Sequence, residues 1–216
     1  PISWRSVAFL TIFGSSVLFY FKTEYDEKMK KSKFNLSRQT APKVQYYGKA
    51  SIGGPYVMVD HDGVPVTDAT FRGKFTLLYF GFSHCPDICP SELVKVGKVM
   101  TELEKKGIGD MVVPVYISLD PARDTIGQLR HYAKDFHPSV RFLTGTTEQL
   151  EKVARSYRVY FMKADEHEDD EEEYLVDHSI VFYLCGPDGE FIDFCTQGSQ
   201  VLDMVSKCEN LVREYK

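Results

Sequence analysis

The sequence lacks the patterns that mark several common functional classes. It contains no internal repeat and no phosphate-binding glycine loop, since Gly53 and Gly54 form an adjacent pair without G-x-G-x-x-G spacing. It has no basic stripe interleaved with aromatic residues, and its formal net charge of −5 argues against a nucleic-acid partner. Its five cysteines are an odd number without the spacing of a disulfide scaffold. What remains is an ordinary globular composition, 43% hydrophobic and 26% charged over 216 residues.

Long hydrophobic runs are also scarce, and the candidate membrane span lies near the beginning of the chain. Residues 6–21 carry no charge, but these 16 residues fall short of the roughly 20 that cross a bilayer. Aromatic residues at both ends extend the run at the interfaces, and no small-x-small cleavage site follows it. We therefore expect an uncleaved anchor and not a signal peptide. The expected organisation is one N-terminal transmembrane helix at residues 1–22, a polar stalk at 23–50 and a folded domain at 51–216.

Acidic residues are concentrated in one short segment. Residues 165–173 contain eight acids, interrupted only by His167, and without these eight the formal net charge of −5 becomes +3. Such a run is typical of a solvent-exposed loop. The alternative is an electrostatic docking surface for a basic partner, which would weaken as the salt concentration rises.

The most informative segment runs from Thr76 to Pro90 and contains the two cysteines that have a motif spacing. Its apolar beginning predicts a buried strand, two prolines mark a sharp turn, and apolar residues at helical spacing predict a helix over Ser91 to Lys105. Pro90 suits the first helical position, where its missing N–H would be unpaired in any case. Cys89 then falls at or near the N-cap, and Cys85 lies in the preceding turn.

This placement gives the two thiols a specific chemistry. Unpaired N–H groups and the helix dipole stabilise a thiolate at a helix N-terminus, so a cysteine pKa there should fall below about 8.5. The Cys85-x3-Cys89 spacing on a helical turn puts the two residues about 6 Å apart, which suits a disulfide or two bonds to one soft metal ion. A pair of inert buried thiols is the alternative. The other three cysteines are expected to be small buried hydrophobic residues: Cys185, Cys195 and Cys208.

A metal site would need a third ligand, and the six histidines are the candidates. His84 adjoins Cys85, but adjacent side chains in an extended segment point in opposite directions. His178 is the better candidate, because it begins a predicted strand after the acidic run and can lie beside the first strand-to-helix turn. The alternative for His178 is a hydrogen-bonded histidine at a sheet edge. The remaining four are expected to be surface residues: His61, His131, His137 and His167.

The order of predicted elements is that of a thioredoxin-like α/β fold. Strand, helix, strand, helix and strand are followed by a hairpin across residues 186–189 and a final helix, which predicts a three-layer sandwich with a mixed sheet. Strands are predicted at 56–60, 64–67, 75–82, 111–119, 140–143, 174–184 and 190–195. Helices are predicted at 91–105, 125–136, 146–157 and 201–214, two of them opened by capping-box patterns.

Four motifs together resemble the Sco family of membrane-anchored copper chaperones that assemble cytochrome c oxidase. They are YFGFSHCPDICP at Tyr79–Pro90, ISLDPARDT at Ile117–Thr125, VDHS at Val176–Ser179 and GPDGEF at Gly186–Phe191. The resemblance runs from about Ile52 to the C-terminus, and the mitochondrial branch of the family is the more similar one. Cys195 is a departure, because the family has no ligand at this position.

The resemblance implies a function and a set of ligands. Cys85, Cys89 and His178 would bind copper, as Cu(I) and, with a further ligand such as water or Asp177, as Cu(II). Two thiolates and one imidazole are indeed a soft donor set suited to Cu(I). The acceptor would be the dinuclear copper site of cytochrome c oxidase subunit II, and other assembly factors, including a copper donor, would be partners.

The resemblance also implies a location. It places the chain in the mitochondrial inner membrane, with a single span and the folded domain in the intermembrane space. The count of positive charges disagrees, because several lysines follow the apolar run whereas Arg5 alone precedes it. We follow the family orientation.

A thiol–disulfide oxidoreductase is the alternative function, and it would make the protein an enzyme. Cys85 and Cys89 would be the attacking and resolving thiols that reduce the cysteines of the acceptor, and His178 would be dispensable for thiol exchange. The spacing is mildly unfavourable for this activity, since the redox motif of the thioredoxin fold is Cys-x-x-Cys.

Overall fold

The computed structural model divides the chain into two units, Pro1–Lys49 and Ala50–Lys216. It describes residues 22, 24, 52–163 and 176–215. The predicted anchor and stalk, apart from two helical residues at positions 22 and 24, and the whole acidic run lie outside the described residues. Within the part that is described, no helix combines the length and apolar character needed to cross a membrane.

The described residues form nine strands, four α-helices and three short 3-10 helices. The strands are β1 (Val57–Asp60), β2 (Pro65–Thr67), β3 (Phe75–Gly81), β4 (Val112–Ser118), β5 (Arg141–Thr144), β6 (Phe161–Lys163), β7 (Val176–His178), β8 (Val181–Cys185) and β9 (Phe191–Thr196). The helices are α1 (Ile88–Lys105), α2 (Ile126–Tyr132), α3 (Thr147–Ser156) and α4 (Val201–Tyr215), and the 3-10 helices cover Asp68–Phe71, Gly109–Met111 and Ala133–Asp135.

Seven of these strands form one mixed sheet in the order β2-β1-β5-β4-β3-β8-β9. The β3–β4 and β4–β5 pairs are parallel, whereas the remaining neighbours are antiparallel. All seven residues of β3 are buried, as its continuous apolar sequence predicts for a central strand covered on both faces. The mixed α/β architecture predicted from the order of the elements is therefore confirmed.

Helix α1 begins earlier than its apolar pattern predicts. Asp87 occupies the N-cap position without a side-chain capping hydrogen bond, and Ile88 is the first helical residue. Cys89 and Pro90 are consequently the second and third residues of the helix, so the prediction of Pro90 at the first position is wrong. The proline is tolerated because every N–H group of the first turn lacks an intrahelical partner. Cys89 still lies in the first turn, as predicted.

The predicted strand at residues 174–184 is in fact two strands in two different sheets. Strand β7 ends at His178, and β8 begins at Val181 and joins the main sheet beside β3. Strand β7 pairs instead with β6 in a separate two-stranded ribbon, in which Phe161 lies opposite His178. The sequence analysis missed β6, because three residues are too few to show an alternating pattern.

Candidate metal centre

Cys85 lies in the turn between β3 and α1 and is partly exposed. The turn is closed by a hydrogen bond from the Cys85 N–H to the Phe82 carbonyl at 3.2 Å. The Cys85 sulfur in turn accepts the N–H of Cys89 at 3.4 Å. The pKa of Cys85 is lowered to about 5, first by the hydrogen bond from the Cys89 thiol and then by N–H groups of the first helical turn, although burial acts in the opposite direction. The contribution of the N–H groups is the helix-terminus effect that the sequence predicts, but the largest single cause is the Cys89 thiol.

Cys89 differs from Cys85 although both belong to the same motif. Its side chain is fully buried against the sheet, and its sulfur accepts a hydrogen bond from the Tyr79 hydroxyl at 3.4 Å. The pKa of Cys89 is raised, first because its thiol donates to Cys85 and then because it is buried. The prediction of a lowered pKa therefore holds for Cys85 and is wrong for Cys89. Of the two thiols, Cys85 is therefore the more acidic.

His178 reaches this pair from the two-stranded ribbon. Its Nε2 atom lies 3.4 Å from the Cys89 sulfur, and its Nδ1 atom lies 3.2 Å from the Ser179 carbonyl oxygen. Because a carbonyl only accepts, Nδ1 is the donor in the contact with Ser179, and Nε2 is the ring nitrogen that faces Cys89. The ring also contacts the edges of two aromatic residues of β3 and its following turn, Tyr79 and Phe82.

The distance between the Cys89 sulfur and His178 Nε2 is suitable for two ligands of one metal ion. A sulfur and a nitrogen that bind one ion at about 2.3 and 2.0 Å, with tetrahedral angles, lie about 3.5 Å apart, and the Cys89–His178 contact is 3.4 Å long. Among the described residues, however, no three His, Cys, Asp or Glu side chains are grouped closely enough to hold a metal. The Cys85 sulfur accepts the backbone N–H of Cys89. In the structure, Cys89 thus contacts both Cys85 and His178, but the three side chains are not grouped closely enough to hold one metal ion.

The other candidate histidines have different neighbours. His84 Nδ1 lies 3.1 Å from the Ser83 hydroxyl and 3.7 Å from an Asp124 carboxylate oxygen. His137 lies beside Glu104 and Ser139, and His131 is exposed. His61 accepts the N–H of Phe142 and is only partly exposed, so its predicted position at the surface holds in part. His167 and the Asp177 side chain lie outside the described residues.

The three remaining cysteines are buried, as predicted. Cys185 and Cys195 lie in neighbouring strands and Cys208 in α4, each with less than a tenth of its surface exposed. Burial raises the pKa of all three thiols. All five cysteines of the chain are free thiols.

Sequence reasoning missed the side chain that fixes the cysteine turn. The buried Asp124 carboxylate accepts the Ser83 hydroxyl at 2.5 Å, the Ser83 N–H at 3.1 Å and the Ser118 hydroxyl at 2.6 Å. It thereby ties the turn after β3 to the end of β4. The available signal was the motif ISLDPARDT, which covers the end of β4 and the turn after it, because the carboxyl ends of neighbouring parallel strands lie at the same sheet edge.

Sequence reasoning also missed the contact between Gly81 and Cys89. A Cβ atom at position 81 would lie 2.9 Å from the Cys89 sulfur and 3.0 Å from the Tyr116 ring. The absence of a side chain therefore lets the sulfur sit directly on the end of β3.

Comparison with known proteins identifies the family. The SCO1/SenC family model matches residues 44–213, most of the chain. This chain belongs to the SCO1/SenC family. The membership confirms the resemblance given by the four motifs.

Several relatives of this SCO1/SenC protein are named mitochondrial. The chain is 42% identical over 217 residues to SCO1 homolog 1 of Arabidopsis thaliana, covering all of this chain and 63% of the relative. It is 38% identical over 216 residues to the human SCO1 homolog, covering all of this chain and 69% of the relative. The chain thus spans about two thirds of the length of these curated relatives.

Solved structures confirm the thioredoxin-like fold. ScoI of Arabidopsis thaliana with copper bound is 47% identical, with a TM-score of 0.70 over 76% of this chain and 99% of that chain. Yeast Sco1 with copper bound is 41% identical, with a TM-score of 0.71 over 77% of this chain and 91% of that chain.

Proposed function

We propose that this protein is a membrane-anchored copper metallochaperone of mitochondria. It binds one copper ion through Cys85, Cys89 and His178 and delivers it to the dinuclear copper site of cytochrome c oxidase subunit II. The observation that carries the proposal is the 3.4 Å contact between the Cys89 sulfur and His178 Nε2. Copper is the metal bound in the Arabidopsis and yeast relatives.

The donor set supports copper as the cargo. Two thiolates and one imidazole favour Cu(I), and a further oxygen ligand such as water or Asp177 would serve Cu(II). To complete the set, the Cys85 side chain must turn from the Cys89 amide toward His178. Cys89 must also lose its proton, so loading releases a proton and depends on pH.

The exposure of the ligands supports delivery to a partner. Cys85 and His178 are partly exposed, whereas Cys89 is fully buried. An incoming thiol of the acceptor can approach the cargo from the side of Cys85 and His178, while Cys89 holds the ion from beneath. The partners are then oxidase subunit II, a copper donor and other assembly factors.

The location of the protein is part of the proposal. Residues 1–22 form a single span in the mitochondrial inner membrane, residues 23–50 a stalk, and residues 51–216 the copper-binding domain in the intermembrane space. The uncharged run at residues 6–21 and the mitochondrial names of the relatives support this arrangement.

A Cu(I) competition titration tests the binding step. The wild-type chain should take up one copper ion from a chromophoric Cu(I) chelator under anaerobic conditions. We expect Cys85→Ser, Cys89→Ser and His178→Ala to lower the affinity at least tenfold, because each removes a ligand. His84→Ala is the matched control, since its ring faces Ser83 and Asp124, and it should bind like the wild type. Equal affinities for His178→Ala and wild type would contradict the ligand set.

Delivery is tested with the copper-binding domain of oxidase subunit II. Copper-loaded wild-type chain is mixed with the reduced, copper-free domain, and copper is measured in each protein after separation. The proposal predicts copper in the acceptor. A chelator with an affinity for copper similar to that of the acceptor serves as the control. If the chelator removes copper from the chain but the acceptor receives none, the role as a copper donor is contradicted.

The asymmetry of the cysteine pair favours a second activity, thiol–disulfide exchange. Cys85 is partly exposed with a pKa lowered to about 5, and Cys89 is buried beside it with a raised pKa. The Cys85 thiolate would attack an acceptor disulfide and form a mixed disulfide. Cys89, deprotonated, would then displace the acceptor thiol, so two electrons pass to the acceptor and Cys85–Cys89 becomes a disulfide. Reduction of an oxidised subunit II domain should be lost in Cys85→Ser and kept in His178→Ala.

A further inference from the structure

The Tyr79 side chain lies against the Cys89 thiol, and the function proposed above gives it no role. It is 1% exposed and projects from β3, two residues before Gly81. Its hydroxyl lies 3.4 Å from the Cys89 sulfur, within hydrogen-bond distance for a sulfur acceptor. A phenolic hydroxyl in this position donates to the sulfur, which is the better acceptor once it is a thiolate.

The surrounding packing holds the Tyr79 ring in place. The ring stacks on Phe182 with centroids 4.8 Å apart and an interplanar angle of 27°. Its other ring neighbours are Tyr116 and His178, each with its ring centroid 6.1 Å from that of Tyr79. Tyr116 and Phe182 are the residues paired with Tyr79 on the two strands that flank β3. The donor is therefore fixed by the centre of the sheet and does not depend on a loop.

We propose that Tyr79 is a positioning residue that tunes the copper site through the Cys89 sulfur. This inference rests on the proposed copper-binding function. A hydrogen bond to a ligating thiolate withdraws electron density from the sulfur and raises the reduction potential of the metal it holds. Tyr79 consequently favours Cu(I) over Cu(II) and helps to keep the Cys89 sulfur facing His178.

Tyr116, another buried tyrosine, serves as the control for the loss of a hydroxyl. Within the described residues, the hydroxyl groups of Tyr116 and Tyr132 are buried and have no hydrogen-bond partner. The Tyr116 ring borders the same end of β3, since a Cβ at Gly81 would lie 3.0 Å from it and 3.1 Å from the Tyr79 ring. Tyr116→Phe thus removes a buried hydroxyl beside the site without removing a hydrogen bond to sulfur.

The test compares wild type, Tyr79→Phe and Tyr116→Phe as full chains loaded with copper. In Tyr79→Phe, the sulfur-to-Cu(II) charge-transfer band should move to longer wavelength, because the sulfur lone pairs rise in energy when the hydrogen bond is lost. The ratio of Cu(I) to Cu(II) affinity should fall about tenfold, which corresponds to a potential lower by about 59 mV for one electron. Tyr116→Phe should match wild type in both measurements.

A second substitution provides a change in the opposite direction. Replacing Tyr79 by 3-fluorotyrosine keeps the ring and makes the hydroxyl a stronger donor, so the band should move to shorter wavelength and the potential should rise. Copper-loaded Tyr79→Phe with the band and potential of wild type would overturn the inference and leave the proposed function intact. Equal shifts in Tyr79→Phe and Tyr116→Phe would also overturn it, since they would indicate a general packing effect. A wild-type chain that binds no copper would contradict the proposed function and this inference together.

Discussion

At the scale of single residues, the candidate site depends on how closely the Cys89 sulfur approaches the end of β3. Gly81 permits this approach because it has no Cβ, and the Tyr79 hydroxyl donates a hydrogen bond to the same sulfur. His178 then meets the sulfur from the ribbon at 3.4 Å. The ligand geometry is thus set by residues that bind no metal themselves.

Gly81→Ala tests this constraint. The new Cβ would lie 2.9 Å from the Cys89 sulfur, so the sulfur or its surroundings must shift, and the 3.4 Å contact of the sulfur with His178 would change. We expect Cu(I) affinity to fall at least tenfold and the free energy of unfolding to fall by about 1–3 kcal/mol, the usual cost of overpacking. Competition titration and urea unfolding measure the two effects.

Gly127→Ala is the matched control for that substitution. The nearest atom to a Cβ at Gly127 is the Thr125 hydroxyl at 3.9 Å, an ordinary contact. Copper affinity should be unchanged in this variant. A Gly81→Ala chain that also binds copper like wild type would show that the close approach is unimportant.

Asp60 gives the fold a pH dependence with a defined sign. Burial alone would raise its pKa, but the N–H groups of Val64 and Asp62 and the guanidinium of Arg141 outweigh burial, so the pKa is lowered. Because the folded pKa lies below the unfolded value of about 3.9, the stabilisation is present above pH 4 and is lost as pH falls through the folded pKa.

Asp60→Asn measures this contribution. The variant should be less stable than wild type by a constant amount between pH 5 and 7, and the two urea-unfolding curves should converge below pH 4. A stability difference that persists unchanged below pH 3 would contradict the assignment to Asp60.

At the scale of secondary-structure elements, the ribbon of β6 and β7 determines where His178 lies. Phe161 is paired with His178 across the ribbon, so their side chains share one face, whereas Met162 belongs to the opposite face and is 57% exposed. Phe161 also packs against the hydrophobic core. The element therefore connects the core to the proposed copper ligand His178.

Phe161→Ala should weaken copper binding without removing a ligand. A cross-strand pair contributes up to about 1 kcal/mol, so we expect Cu(I) affinity to fall by about threefold. Met162→Ala, on the opposite face, should leave the affinity unchanged. Equal effects of the two substitutions in the competition titration would argue against support of His178 by Phe161.

The elements also show how much of the structure the sequence predicts. The continuous apolar run of β3 and the reciprocal capping box of Thr146 and Gln149 are local patterns, and both are present. The hairpin between β8 and β9 also follows from its turn sequence, in which Gly189 adopts a φ of +76°. Local sequence is sufficient where a pattern extends over a whole element.

Long-range contacts could not be predicted in the same way. The two residues between β7 and β8 carry no turn signal strong enough to break the predicted strand. The pairing of β7 with β6 joins two segments that are separated by the acidic run, so no local pattern shows it. The link between Asp124 and Ser83 spans 41 residues. The contact between His178 and Cys89 joins residues 89 positions apart, so no local pattern predicts it. The position of His178 after the acidic run made it a candidate ligand, and the family resemblance made it a proposed one.

At the scale of the whole molecule, charge is unevenly distributed along the sequence. The eight acids at residues 165–173 account for more than the formal net charge of −5. They lie in sequence between β6 and β7, the two strands of the ribbon that carries His178. If the acids attract a basic partner, they act on the rate of encounter and are screened by salt.

Neutralising residues 169–173 with Asn and Gln tests this role. We expect copper transfer to the acceptor to become slower at low salt and nearly independent of salt concentration, while Cu(I) affinity stays the same. Stopped-flow transfer rates at several ionic strengths measure the effect. An unchanged rate and salt dependence would identify the segment as a solvated loop without a docking role.

The central claim is that Cys85, Cys89 and His178 hold one copper ion together. Copper content and X-ray absorption of the Cu(I) form, measured on wild type and His178→Ala, test it most directly. The account predicts one copper per chain with two sulfur ligands and one nitrogen ligand, and loss of that nitrogen in His178→Ala. No stoichiometric copper in wild type, with intact Cys85–Cys89 disulfide cycling in both proteins, would contradict it and favour the oxidoreductase.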